Sequence, residues 1–198
     1  MKEKKISVSQ VLVLLLAFIM LFAFSGCANP NEATEALFEQ VKTNNSKNIE
    51  KYYMGEATDF SFLQNAYYNE SNQTEEHRHL YNSMMKKLTA FTVSEGQRET
   101  FGDEGSLRVT FTAYDFSNIL TPGEAAEWKA AVESQDASKL SLYSVRNIQA
   151  RVDALDKQTS TKYMKLPFAK GDNGKWQVKP LNAEALNALS GGFYDLVK

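Results

Sequence analysis

His77 and His79 are the only histidines among the 198 residues, and Glu75 and Glu76 beside them invite a metal site. On a helix, side chains two residues apart point about 200° away from each other, so the two imidazoles cannot meet on one ion. The stretch instead predicts a solvated first helical turn, with Thr74 as N-cap and the two glutamates where the helix dipole favours negative charge. Gly171-Asp172-Asn173-Gly174-Lys175 contains a Gly-Lys pair but lacks the glycine spacing and the following Ser or Thr of a phosphate loop. Gly102-Asp103-Glu104-Gly105 fails in the same way, and both read as hairpin turns. Ser190-Gly191-Gly192 has no glycine two positions before the serine and follows a helix rather than a strand, so it reads as a helix break and not a nucleophile elbow. The carboxylate pairs Asp103/Glu104 and Asp153/Asp156 would need a cleft and shifted pKa values for acid–base work. The first pair falls in a turn and the second on the polar side of a helix, so both are expected in water. No catalytic residue, no metal ligand set and no cofactor is expected from these patterns.

A more open candidate is an amphipathic strand face. Arg108, Thr110, Thr112 and Tyr114 alternate along one strand, and Tyr163 and Lys165 along another. If the two faces coincide under helices, they would line a pocket with aromatic walls and a few cationic or hydroxyl groups, suited to a small anionic or amphipathic ligand. The preferred alternative is that they face water, as one side of an antiparallel sheet often does. The ligand-binding residues therefore stay unknown at this level.

The single cysteine, Cys27, has a setting of its own. A basic start (Lys2, Lys4, Lys5) precedes the apolar run Val11 to Phe24, and the small pair Ser25-Gly26 stands immediately before the cysteine. Fourteen apolar residues suit the h-region of an export signal better than a bilayer span, and the positive start orients the segment with its amino end inside. An uncleaved membrane helix over Ile6 to Phe24 is disfavoured because Ser7, Ser9 and Gln10 interrupt it. Phe24-Ser25-Gly26-Cys27 resembles the lipobox of bacterial lipoproteins, and that resemblance implies diacylglyceryl modification of the Cys27 thiol and cleavage before it. Two acyl chains at ~0.8 kcal/mol per buried methylene give essentially permanent attachment. The expected organisation is a signal peptide over 1–26, a lipid-anchored tether over 27–32 and a single domain over 33–198, on the extracytoplasmic face of the cell membrane.

The elements of that domain follow from periodicity. Ala33, Leu37, Phe38 and Val41 predict a first helix, and Ile49, Tyr52 and Tyr53 a second over Lys47 to Met54. Phe60, Phe62, Tyr67 and Tyr68 make Gly55 to Gln73 an irregular segment lying over the core. Leu80, Met84 and Leu88 continue the helix begun at Thr74. Phe91 to Thr100 and Leu107 to Phe116 form a hairpin. Ser117 to about Ser134 reads as helix, Gln135 to Lys139 as loop, and Val145, Ile148, Val152 and Leu155 as another helix. Thr161 to Lys170 and Lys175 to Pro180 form a second hairpin, in which Pro167 demands an edge or a bulge. A last helix carries Ala185, Leu186 and Leu189 and breaks at Gly191-Gly192 before Phe193 to Val197. Strands grouped in hairpins with helices around them give an α+β class.

The order of these elements, with Gly-Lys-Trp-Gln-Val (Gly174 to Val178) in the last hairpin and the run Leu186 to Gly192 at the close, resembles small lipoproteins of Gram-positive bacteria. Those proteins carry an uncharacterised nuclear-transport-factor-two-like domain. The resemblance implies a curved antiparallel sheet wrapped by helices with a possible pocket, and carries over no catalytic residue. Charge narrows the partners. The leader carries +2 and the whole chain −2, which leaves −4 for the remainder; nucleic acid would call for a basic footprint and is not expected. With no other cysteine, no disulfide framework is available. The expected function is a non-enzymatic, membrane-anchored lipoprotein that binds a small ligand or an envelope protein. The alternatives are a small-pocket enzyme using Tyr, Arg and Asp, and an envelope spacer or assembly factor.

Overall fold

A computed structural model of the chain describes residues 29–64 and 71–198. The leader, Cys27, Tyr67 and Tyr68 lie outside the described residues. Helix α1 spans Pro30–Lys42 and starts inside the stretch expected as tether. Its start is set locally: Asn29 Oδ1 accepts the Glu32 N–H at 3.1 Å, and Pro30 occupies N1, where its missing N–H costs nothing. Helix α2 is only Ser46–Ile49, shorter than its periodicity predicts. Past Ile49 the chain is taken up by tertiary pairing, with the Met54 N–H donating to Val178 O and the Val178 N–H to Tyr52 O, each at 2.8 Å.

A 3-10 turn, Ala57–Phe60, runs into helix α3, Ser61–Gln64. As expected, this segment lies over the core: the Phe60 ring sits 5.2 Å from Tyr53 and the Phe62 ring 5.0 Å from Tyr194. Helix α4 is Glu75–Leu88, and strands β1, Thr92–Phe101, and β2, Glu104–Ala113, form the first hairpin. Helix α5 is Pro122–Ser134 and begins later than Ser117. Thr121 and Glu124 close a capping box around Pro122 at N1, a start signal that outweighs the weaker pattern before it. A 3-10 turn at Ala137–Lys139 lies within the predicted loop, and helix α6 is Leu142–Ala154. Strands β3, Ser160–Lys170, and β4, Trp176–Val178, precede helices α7, Ala183–Leu189, and α8, Phe193–Val197.

The four strands form one open antiparallel sheet in the order β1-β2-β3-β4. Leu107, Val109, Phe111 and Ala113 of β2 and Leu166 and Phe168 of β3 turn to one face and are buried. The helices pack there: Phe38 of α1 meets Phe111 edge-on at 5.3 Å and Phe91 at 5.9 Å. Trp128 of α5 meets Phe193 of α8 at 5.7 Å. On the other face Arg108, Thr161, Tyr163 and Lys165 remain exposed. The class is thus α+β as expected, with helices on one face of the sheet and the polar face open to water.

Pro167 finds its edge in an unexpected way. β3 pairs with β2 along its whole length without a bulge, but with β4 only over Phe168, Ala169 and Lys170. The Pro167 carbonyl accepts the Lys179 N–H at 2.9 Å, so the missing proline N–H points to the side where β4 has already ended. β3 is an inner strand at one end and an edge from Ser160 to Leu166.

Candidate functional site

The two polar strand faces do coincide. In the register of β2 and β3, Arg108 lies opposite Lys165, Thr110 opposite Tyr163 and Thr112 opposite Thr161. β1 adds Ser94 opposite Thr110 and Glu99 opposite Ser106. Ser94 and Glu99 are five residues apart and would point to opposite faces of a regular strand. The register shift between Glu95 and Arg98 turns Glu99 back onto the polar face, as a bulge does.

Glu99 then bridges the two cations. Its Oε2 is 3.0 Å from Lys165 Nζ and its Oε1 3.7 Å from Arg108 Nη2. The hydrogen bond from Lys165, with the positive charges of Lys165 and Arg108, holds the Glu99 carboxyl below its ordinary range. Around the pair is a shallow depression of about 490 Å³, lined by Ser94, Gln97, Arg108, Thr110, Tyr163 and Lys165 among others. Tyr163 is 81% exposed. Tyr114 leaves the stripe, because β2 ends at Ala113 and its ring lies 5.3 Å from Lys87 Nζ of α4. The arrangement offers hydroxyls, a phenol and a bridged cation pair to a polar or extended ligand. Open to water, it lacks the low dielectric that would sharpen acid–base chemistry.

The remaining sequence candidates are dispersed. Asp103 pairs with Lys170 at 2.7 Å and Glu104 with Lys179 at 2.9 Å, both at the hairpin end. Asp153 and Asp156 are exposed, as expected. Gly171–Gly174 forms a turn closed by the Gly174 N–H to Gly171 O at 2.8 Å. Ser190 Oγ donates to Asn187 O at 3.0 Å and accepts the Tyr194 N–H at 2.9 Å, so it caps the helix break.

His77 corrects the reading of a solvated turn. It is 3% exposed, with Nδ1 2.8 Å from Thr74 Oγ1 and Nε2 2.9 Å from Leu140 O. Residue 77 precedes Leu80 and Met84 at helical spacing, so it lies on the buried stripe of α4. His79 stays exposed and lines a separate depression with Glu75, Glu76 and Asp153.

Two further ionisable groups are sequestered. Glu124 accepts hydrogen bonds from Arg151 and, at 2.8 Å, from the Thr121 N–H. Burial pushes its carboxyl up, but the Arg151 and Thr121 bonds outweigh this and hold it below the ordinary value. Tyr53 donates to Asp59 Oδ2 at 2.6 Å and accepts the Leu181 N–H at 2.8 Å. Burial first, and then the Asp59 bond, push its phenol upward. The sequence reading missed Glu99, Glu124 and Tyr53 as partners. The one local signal that could have found any of them is the Thr121-x-x-Glu124 capping pattern.

Among the described residues no helix is long and apolar enough to cross a membrane. No protein-family model and no curated protein matches the chain. A solved structure of a putative lipoprotein (ycdA) from Bacillus subtilis subsp. subtilis str. 168 is similar at 17% identity with a TM-score of 0.47. The match covers 78% of this chain and 54% of that one, so the chain spans about half the length of that protein.

Proposed function

We propose that the chain is a lipoprotein anchored through diacylglyceryl Cys27 to the extracytoplasmic face of the cell membrane, where its single domain acts as a non-enzymatic binding module for a small ligand or an envelope protein. The observation that carries this is the sole cysteine standing directly after an apolar run and the small pair Ser25-Gly26. Helix α1 starts at Pro30, so only Ala28 and Asn29 separate the anchored residue from the folded domain, a reach of about 10 Å. The binding reading is supported by the open polar face around Arg108, Tyr163 and Lys165. It is supported too by the structural tasks of His77, Glu124 and Tyr53, each of which joins separate segments of the chain. The accompanying domain reading, nuclear-transport-factor-two-like, is supported by the helix-then-hairpin order and the closing hairpin over Gly174 to Val178. Metabolic labelling with palmitate followed by fractionation tests the anchor. The natural chain is labelled and sediments with membranes, while Cys27→Ser is unlabelled and is either released or held as precursor. Mature-sized, membrane-bound Cys27→Ser protein would refute the proposal.

A further inference from the structure

Backbone groups along a strand alternate between its two sides. Since the Pro167 carbonyl faces the β4 side and β3 keeps an unshifted register with β2, Thr161, Tyr163 and Lys165 direct their N–H and C=O groups to that same side. β4 does not reach them. Seven residues of β3, Ser160 to Leu166, thus form an edge about 23 Å long that no strand among the described residues covers.

Helix α7 flanks this edge. Asn182 Oδ1 caps its start by accepting the Ala185 N–H at 2.9 Å, and just past its end the Phe116 N–H donates to Gly191 O at 2.7 Å and ties it to the chain that follows β2. Between α7 and β3 lies a groove of about 340 Å³, lined on the strand side by Ser160, Lys162 and Tyr163 and on the helix side by Glu184, Asn187 and Ala188, among others. Lys162 is the distinctive group. Its register partner Phe111 is buried in the core, yet Lys162 is exposed. The neighbouring lysines of β3 are paired, Lys165 with Glu99 and Lys170 with Asp103. Among the described residues Lys162 makes no ion pair.

We propose that the groove between β3 and α7 binds an extended segment of a partner polypeptide, which adds as a strand against Ser160 to Leu166 and sets a carboxylate side chain on Lys162. The main-chain groups of Thr161, Tyr163 and Lys165 supply affinity for any extended backbone, and the groove selects among side chains. Pro167 fixes the end of the added strand because it offers no further N–H. A second copy of this chain is the poorer occupant. In antiparallel pairing of two β3 strands centred on residue 162, Lys162 of one copy would stand directly opposite Lys162 of the other, and like charges across strands repel. The proposal names a partner class for the binding reading and does not depend on acylation of Cys27.

The test uses the full chain in lipid nanodiscs, panned against a random dodecapeptide library displayed on phage. Enriched peptides are expected to carry an acidic residue among β-branched ones, and a synthetic copy of one slows amide exchange at Thr161, Tyr163 and Lys165. Tyr163→Pro removes an edge N–H at a position where an edge strand tolerates proline, and weakens binding at least about tenfold more than Tyr163→Ala, which removes the ring and keeps the N–H. Lys162→Glu weakens it by about tenfold or more. The proposal is overturned by a library that yields no enrichment, by peptides that protect amides elsewhere, or by equal binding to Tyr163→Pro. Self-association of the chain that Tyr163→Pro abolishes would give the edge to a second copy and also overturn it. Should Tyr163→Pro fail to fold, the exchange pattern of the natural chain decides alone. A membrane-bound Cys27→Ser protein would remove the anchoring proposal and leave this one standing.

Discussion

His77 Nε2 lies 2.9 Å from the carbonyl oxygen of Leu140, 63 residues away, and ties the first turn of α4 to the segment that leads into α6. The ring nitrogen donates here because a carbonyl can only accept, which leaves Nδ1 free to accept from the Thr74 hydroxyl and, at 3.3 Å, from the Thr74 N–H. One buried imidazole thus caps a helix and joins two helices.

Replacing His77 by Ala leaves the Leu140 carbonyl and the Thr74 cap without their partner. A buried unsatisfied polar group costs about 1–3 kcal/mol, so His77→Ala is expected to lower the stability by that amount. His79→Ala, at an exposed position two residues on, is expected to shift it by less than about 0.5 kcal/mol. Urea denaturation of both variants measures the contrast, and equal effects would contradict the assigned role.

Glu124 gives a dependence on pH with a defined sign. Its carboxyl is held below its ordinary value of 4.5 in the folded state, so the unfolded chain takes up the proton first as pH falls. The stabilisation is complete above about pH 4.5 and is lost as pH drops through that value toward the lower folded one. Glu124→Gln is expected to unfold more easily at neutral pH, by about 2 kcal/mol, and to show a flatter decline in stability between neutral and acid pH. Denaturation midpoints across that range give the comparison, and a parallel decline in both proteins would refute it.

Phe38 packs edge-on against Phe111 and Phe91 where α1 crosses the sheet. Truncating it opens a cavity between the two layers, and Phe38→Ala is expected to cost about 3–5 kcal/mol. Phe101, 78% exposed near the hairpin turn, is expected to tolerate Ala within about 0.5 kcal/mol. Thermal unfolding of the pair separates a core contact from a surface one.

Gly191 and Gly102 both have positive φ, +61° and +63°, but their surroundings differ. A Cβ at Gly191 would stand 1.8 Å from the Tyr114 carbonyl oxygen, whereas at Gly102 nothing lies within 4 Å. Gly102→Ala therefore carries only the left-handed backbone cost of about 1–2 kcal/mol. Gly191→Ala adds a clash with backbone and breaks the Phe116 N–H bond to Gly191 O, so its loss is expected to exceed that of Gly102→Ala by about 2 kcal/mol or more. Chemical denaturation of the two variants reads the difference directly.

Much of the domain was legible because local signals agreed with the final packing. Leu80, Met84 and Leu88 gave α4, the Gly-rich turns gave both hairpins, and Leu107, Val109, Phe111 and Ala113 gave the buried face of β2. Where the reading departed, a distant partner had overridden the local pattern. The helix expected through Met54 stops at Ile49 because Tyr52 and Met54 pair with Val178 across the fold. The late start of α5, after a helix expected from Ser117, is the local exception: it is set by a capping box and a proline, which weigh more than apolar spacing.

The candidate site was half legible. Alternation put Arg108, Thr110 and Thr112 on one face of β2, and Tyr163 with Lys165 on one face of β3. It could not say that a shift between Glu95 and Arg98 brings Glu99 onto that face, because a bulge changes which residues share a side without altering residue type. The burial of His77 was hidden for a related reason: a first-turn position is wet or dry according to what packs over it.

The sequence by itself determined the composition of each strand face, the hairpin turns, most helix stripes and the unusual setting of Cys27, because each depends on neighbours within a turn or two of chain. Only the tertiary structure decided that β4 is too short to cover β3, that Glu99 bridges Arg108 and Lys165, and that His77 reaches Leu140. Those are relations between residues tens of positions apart, and they exist only once burial of the apolar faces has fixed the register between strands and the placement of helices on the sheet.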